Sequence, residues 1–250
     1  MSENIAGSTN PGARAAPSRS RYWPAALVAG IIAAALSGGG GEAASGFFPQ
    51  KKMANPLAST VDMAAYNRVI VKNAALAYGL QGAILGLTLG LAGAAIRRSS
   101  GHAVLAGLTG LLAGGVVGAA ASFGLFTAFY AIVHVNSSDL LPSLMAHGGV
   151  WSLIGACGGA AFGLGMGGHG RVARAAVGGL IGAALAAVVY ETAGAVLFPL
   201  DLTGEPLADT SRPRLFAHAV VNVFAALGAA LLSEDVRART PRVPRRAARL

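Results

Sequence analysis

The chain has 250 residues, 54% of them hydrophobic and only 12% charged, with a formal net charge of +9. A soluble domain carries about 25% charged residues, so the composition excludes an ordinary water-soluble domain. The positive charge sits in islands between apolar runs rather than along one stripe, which favours a positive-inside membrane topology and disfavours nucleic acid as a partner.

The expected fold is an all-α integral membrane protein, a bundle of about six Gly/Ala-rich transmembrane helices. Residues 1–23 are rich in Ser, Pro and Ala and contain Arg14, Arg19 and Arg21. They hold too little apolar surface to offset ordering entropy and read as a disordered basic segment. Pro24 opens an uncharged run over 24–39. This run serves as a first span, although basic flank, short apolar stretch and small residues also suit a signal peptide. Gly38 to Gly41 reads as a flexible run, Asn55-Pro56 as a turn, and Ser59 with Asp62 as the start of a helix leading into the next span.

The remaining spans are expected over 74–96, 103–134, 143–167, 175–200 and 215–233. The third would be about 48 Å long at 1.5 Å per residue, so it must tilt, protrude or bend near Ser122-Phe123-Gly124 to fit a core of about 30 Å. Together, residues 24–233 make one transmembrane domain, and 234–250 an Arg-rich cytoplasmic tail suited to anionic lipid.

Small residues recur every four positions within these spans: Gly82, Gly86 and Gly90; Gly110, Gly114 and Gly118; Gly155, Gly159, Gly163 and Gly167; Gly178, Gly182 and Ala186. Residues four apart share a helix face. In lipid, such stripes let backbones approach closely, so they are the expected helix-packing faces of a glycine zipper. A stripe left over could build a homo-oligomer. The run GLTGLLAGGVVG from Gly107 returns in weaker form as GLIGAALAAVVY from Gly179, and both continue to a Leu-Phe pair, Leu125-Phe126 and Leu197-Phe198. This offset of seventy-two suggests a duplicated two-helix unit with parallel orientation.

Charge sets the expected orientation. With both termini inside, the inner segments hold Arg97, Arg98, Arg171, Arg174, the three N-terminal arginines and six more from Arg237 to Arg249, thirteen of the nineteen Lys and Arg. The positive-inside rule then places both ends in the cytoplasm, in a bacterial inner membrane.

The sharpest candidate for function is Glu191, in the fifth expected span. Ionisable groups in hydrocarbon are costly and face the bundle interior or water. His218 and Asn222 lie one turn apart on the sixth span, and Gln81 is at similar depth in the second. These four residues define the expected polar site in the outer half of the bundle. His134 and His147 flank the turn around residues 135–146; with His218 they could form a three-His set, but no metal-ligand spacing supports it. The run GLGMGGHG at 163–170 lacks the Lys-Ser/Thr pair of a phosphate loop, and no serine lies in a nucleophile elbow. The sequence therefore points to no enzyme, cofactor or metal. It suggests a small transport or permeation component working at Glu191, or alternatively a non-catalytic assembly subunit packing through its glycine faces.

Overall fold

The computed structural model describes residues 22–49, 60–132 and 140–233. Among them there are six helices and no strand: α1 (Tyr22–Ser45), α2 (Thr60–Arg97), α3 (Ser100–Ile132), α4 (Leu140–Met166), α5 (His169–Leu197) and α6 (Ser211–Ser233). Each is long and apolar enough to cross a membrane. Helices satisfy their own backbone groups, which is why apolar chains of this kind cross lipid as helices. The basic N-terminal segment, the Asn55-Pro56 turn, the Ser59 cap, His134 and the Arg-rich tail lie outside the described residues.

Helices consecutive in the chain run antiparallel. Gly82 meets Gly114, Gly86 meets Gly110 and Gly90 meets Ala106, which pairs α2 with α3. Gly155 meets Gly179 and Gly159 meets Ala175 between α4 and α5. Gly178 meets Gly228 and Gly182 meets Phe224 between α5 and α6. A Cβ at any of these glycines would penetrate a backbone carbonyl of the facing helix, so the helices approach to a distance that only the missing side chain permits. Gly118 stands against the Tyr78 carbonyl and Gly163 against Val172. Helix α1 closes the bundle between α2 and α6, with Gly30 against Asn222 and Ala226. Helix α4 touches α2, α3, α5 and α6. The outer face of α3 leaves Val104, Leu108, Leu112 and Val116 exposed, an apolar stripe compatible with lipid.

Several expected boundaries shift, for local reasons. Gly38 to Gly41 is helical, not a flexible connection, because α1 continues to Ser45. Gly38 and Gly41 are buried there against Leu215 and His218 of α6, and tertiary packing outweighs the low helix propensity of glycine. Helix α4 begins at Leu140, before the expected 143, because Pro142 falls in the first turn, where its missing N–H costs nothing. Pro213 does the same for α6. The basic stretch 169–174, expected as a loop, forms the first turns of α5. The reversal before it is made by Gly167 and Gly168 at φ 77 and 103, so Gly167 lies in the turn and leaves the stripe begun by Gly155. Helix α3 is unbroken through Ser122 to Gly124.

Two ends of the bundle follow from this topology. One carries the tight turns at Arg98-Ser99 and Gly167-Gly168. The other carries the end of α1, the starts of α2, α4 and α6, and the connection from Phe198 to Thr210, here termed the strap.

Candidate functional site

Helix α5 lies between α4 and α6, held to each by the glycine contacts above. At its strap end, this placement turns Glu191 toward α4, where Ser143 and His147 stand one turn apart on one face. Both reach the same carboxylate oxygen. Ser143 Oγ donates to Glu191 Oε1 at 2.7 Å, and His147 Nδ1 lies 2.7 Å from that atom. Either the imidazole N–H donates to a carboxylate, or a protonated carboxyl donates to the bare ring nitrogen. The geometry holds one proton between two atoms in both cases. Glu191 is 4% exposed and His147 1%.

The surroundings are aromatic. The His147 ring stacks on Trp151 at 4.8 Å between centroids and meets Phe126 and Tyr190 edge-on at 5.5 and 5.7 Å. Such walls lower the local dielectric and strengthen the pairing of Glu191 with His147. They also make an unpaired polar atom costly, yet Glu191 Oε2 has no hydrogen-bond partner.

His218 and Asn222 come together as expected from their one-turn spacing, but away from Glu191. Their third partner is Ser37 of α1. Asn222 Nδ2 donates to Ser37 Oγ at 3.1 Å, and His218 Nδ1 is 3.1 Å from the same hydroxyl. The far edge of the imidazole lies against Gly41, where a Cβ would be 2.5 Å from Nε2. Tyr78 separates the two clusters: its ring is 6.1 Å from Trp151 and 6.5 Å from His218. Gln81, one turn further along α2, is 1% exposed and bonds to nothing through either side-chain atom. The four residues expected to form one site are thus all buried, but they occupy two hydrogen-bonded clusters and one isolated amide. Among the described residues, buried unpartnered side-chain atoms stand on four helices: both of Gln81, Trp151 Nε1, Glu191 Oε2 and Asn222 Oδ1.

The strap crosses the end of the bundle above these clusters. Its Pro206 carbonyl accepts from Tyr78 Oη at 2.9 Å. Its Glu205 carboxylate accepts from Tyr130 Oη of α3. Its Ala208 carbonyl accepts from Arg214 Nη1 at 2.7 Å. That guanidinium also forms a two-point ion pair with Glu42 of α1, at 2.8 Å from Nε and 2.7 Å from Nη2. Bidentate pairing of this kind fixes direction as well as charge. Beside the strap, a cleft of about 410 Å³ is lined by Tyr66, Ile70, Glu205, Leu207, Asp209 and Arg214, among others.

No signal in the sequence joined His147 to Glu191, and Ser37, Ser143 and Glu42 were not singled out. The one readable hint was the Ser143/His147 spacing, which places two polar side chains on one helix face.

With the fold and the site described, the class of protein follows: a polytopic all-helical membrane protein with polar side chains buried in its bundle. The chain matches no protein-family model, and no curated protein or solved structure is significantly similar to it.

Proposed function

We propose that the protein is a small transport or permeation component of a bacterial inner membrane, in which Glu191 and His147 hold and exchange a proton. The observation that carries this reading is the buried pair itself, with one carboxylate oxygen shared by Ser143 and His147 and the other without a partner. Intramembrane acids and histidines recur along proton and ion pathways. A carboxylate needed only as a helix pin would gain little, since polar contacts between membrane helices average about 0.6 kcal/mol and reach about 1.7. The unpartnered atoms of Gln81, Trp151 and Asn222 add polar positions through the same part of the bundle.

The alternative, an assembly subunit that works through its glycine faces, has less support. Apart from Gly167, which lies in the turn, every glycine expected in a packing face, from Gly82 to Gly182, is set against a helix of the same chain. We read these contacts as the glycine zipper that holds the bundle together. What remains for a second copy is exposed aliphatic surface, as on α1, α3 and α5, which lipid serves equally well.

Duplication is part of the same proposal, with a revised register. The close pairs Gly86–Gly110 and Gly90–Ala106 correspond to Gly155–Gly179 and Gly159–Ala175, a shift of sixty-nine. At seventy-two, Gly110 would match Gly182, whose contact is with α6 instead. In the structural register, Tyr78 and Ser122 stand where His147 and Glu191 stand, so only the second hairpin has the acid and the imidazole. Both termini are assigned to the cytoplasm on the charge pattern, and the C-terminal arginines to contact with anionic lipid.

The test is proton flux into proteoliposomes under an imposed pH gradient, read with an enclosed pH-sensitive dye. The wild-type protein should collapse the gradient faster than empty vesicles do, and Glu191→Gln and His147→Phe should not. A Glu191→Gln protein that folds and conducts like wild type would remove the main support for this reading.

A further inference from the structure

We infer that the strap, Phe198 to Thr210, is the gate through which the aqueous phase reaches the Glu191–His147 pair. This rests on the reading above that the pair is the working site. Three observations lead to it.

The first is position. Gly194 lies one turn beyond Glu191 on α5, and Ser143 one turn before His147 on α4. The strap is seated on both. A Cβ at Gly194 would lie 3.4 Å from Thr203 Cβ, and one at Gly204 would lie 3.8 Å from Ser143 Cβ. Between the pair and the end of the bundle stand about two turns of each helix and residues 203–204 of the strap.

The second is how the strap is held. It has no helix or strand of its own beyond turns and bends. Few of its backbone bonds are internal, among them Asp201 N to the Phe198 carbonyl and Glu205 N to the Leu202 carbonyl. Its polar ties to the bundle are side-chain bonds from separate helices: Tyr78 of α2 to the Pro206 carbonyl, Tyr130 of α3 to Glu205, and Arg214 of α6, braced by Glu42 of α1, to the Ala208 carbonyl. Beside them stand apolar contacts of Phe198 with Phe216, of Leu207 and of the buried Ala208. A segment with little backbone bonding of its own, held by such separate contacts, opens at lower cost than the helices it covers.

The third is what lies beyond it. The cleft of about 410 Å³ borders the strap through Leu202, Glu205, Leu207, Ala208 and Asp209. Leu202, Glu205 and residues 207–209 border this free volume, while Thr203 and Gly204 between them sit on Gly194 and Ser143, so a strap displaced into the cleft would carry residues 203–204 off Ser143 without moving a helix.

The test reads access to Glu191 chemically and does not depend on transport. The purified full chain in detergent is treated with a water-soluble carbodiimide and glycine ethyl ester, and modification of Glu191 is followed by peptide mass spectrometry, with Glu191→Gln as the blank. Gly194→Cys/Thr203→Cys is made in a Cys157→Ala background; the Cβ separation is close to that of a disulfide, about 3.5–4.5 Å. Glu191 should be modified about tenfold more slowly in the oxidised protein than in the same protein reduced, because the bond removes the open state. The second variant, Tyr78→Phe/Tyr130→Phe, keeps both rings and removes two ties, and should speed modification about tenfold over wild type. Equal rates in oxidised and reduced protein, no modification in the reduced protein, or no increase in the double Phe variant would each overturn the gate. If the gate holds while proton flux is absent, the strap assignment stands and the transport reading fails.

Discussion

His147 and Glu191 are forty-four residues apart in sequence and meet at 2.7 Å through Nδ1 and Oε1, inside a wall made by Trp151, Phe126 and Tyr190. Two hairpins and a glycine contact fix this meeting. Gly155 of α4 faces Gly179 of α5, a register that sets Ser143 opposite Glu191 with His147 one turn further in, so the carboxyl leans back along α5, as helical side chains do, to reach the imidazole. The pairing is therefore a consequence of helix register, and a shift of one residue would separate it.

A double-mutant cycle tests that coupling. His147→Ala leaves the carboxylate with Ser143 alone, and Glu191→Ala leaves a buried imidazole facing a void. Removing one partner of a buried pair costs about 3–5 kcal/mol in soluble proteins, and in this bundle each single change should lower thermal stability in detergent. The double change should cost less than the two added together, by about 1–3 kcal/mol. Strict additivity would show that the two groups do not interact.

Opposite signs are expected for alanine at two glycines of similar sequence setting. Gly82→Ala drives a methyl into the Gly114 carbonyl of α3, whereas Gly124→Ala meets nothing within 4 Å. The first should destabilise by about 1–3 kcal/mol, the usual cost of overpacking. The second should stabilise by up to about 1 kcal/mol, since alanine is the better helix former. Denaturation of both variants in the same detergent checks this, and no loss at Gly82 would mean that it is not at a close helix contact.

What the sequence made legible follows its periodicities. Six apolar runs and the four-residue glycine stripes determine which faces of α2, α3, α4 and α5 turn inward, and Glu191 stands out because an acid in such a run has no cheap exposed position. Partners were harder to read. The stripe on α4 does not say which glycine of α5 it meets, and the seventy-two-residue sequence match differs by three from the sixty-nine-residue spacing between the α2–α3 and α4–α5 glycine contacts. His147 reads only as a flank of the turn around residues 135–146, at the outer end of the fourth span, and nothing in the sequence says that it faces the fifth. Ser37 and Gly41 fell at the end of a run taken to stop at Gly39, since a glycine series looks like a hinge when the helix packed against it is unknown. The strap contains no periodic pattern at all, so its role over the bundle end could be read only from contacts between residues far apart in the chain.

Topology can be checked independently of function. The end bearing Arg97, Arg98, Arg171 and Arg174 should be cytoplasmic, and the strap end should face the opposite side. Reporter fusions after Ser100 and Leu250 should be active only as cytoplasmic reporters, and one after Leu140 only as an external reporter. An external signal at Leu250 would reverse the orientation, and the gate would then open toward the cytoplasm.

Gly41 and His218 offer the most discriminating prediction about the second cluster. A Cβ at residue 41 would be 2.5 Å from Nε2 and 3.1 Å from Cε1 of His218, so Gly41→Ala must displace the ring. A free side chain would move at little cost. This one is held by Ser37 at Nδ1, and Ser37 in turn accepts from Asn222. Displacement therefore breaks into a buried hydrogen-bonded set, and leaving such a group unsatisfied costs about 1–3 kcal/mol. Gly41→Ala should lower stability by about that much in the native background. With His218→Ala the obstacle is gone, and the same substitution should become neutral or gain up to about 1 kcal/mol from helix propensity. Unfolding of the four proteins in one detergent measures the cycle. If Gly41→Ala costs the same with and without the imidazole, the ring is not packed on the α1 backbone, and the Ser37–His218–Asn222 cluster loses its geometric basis.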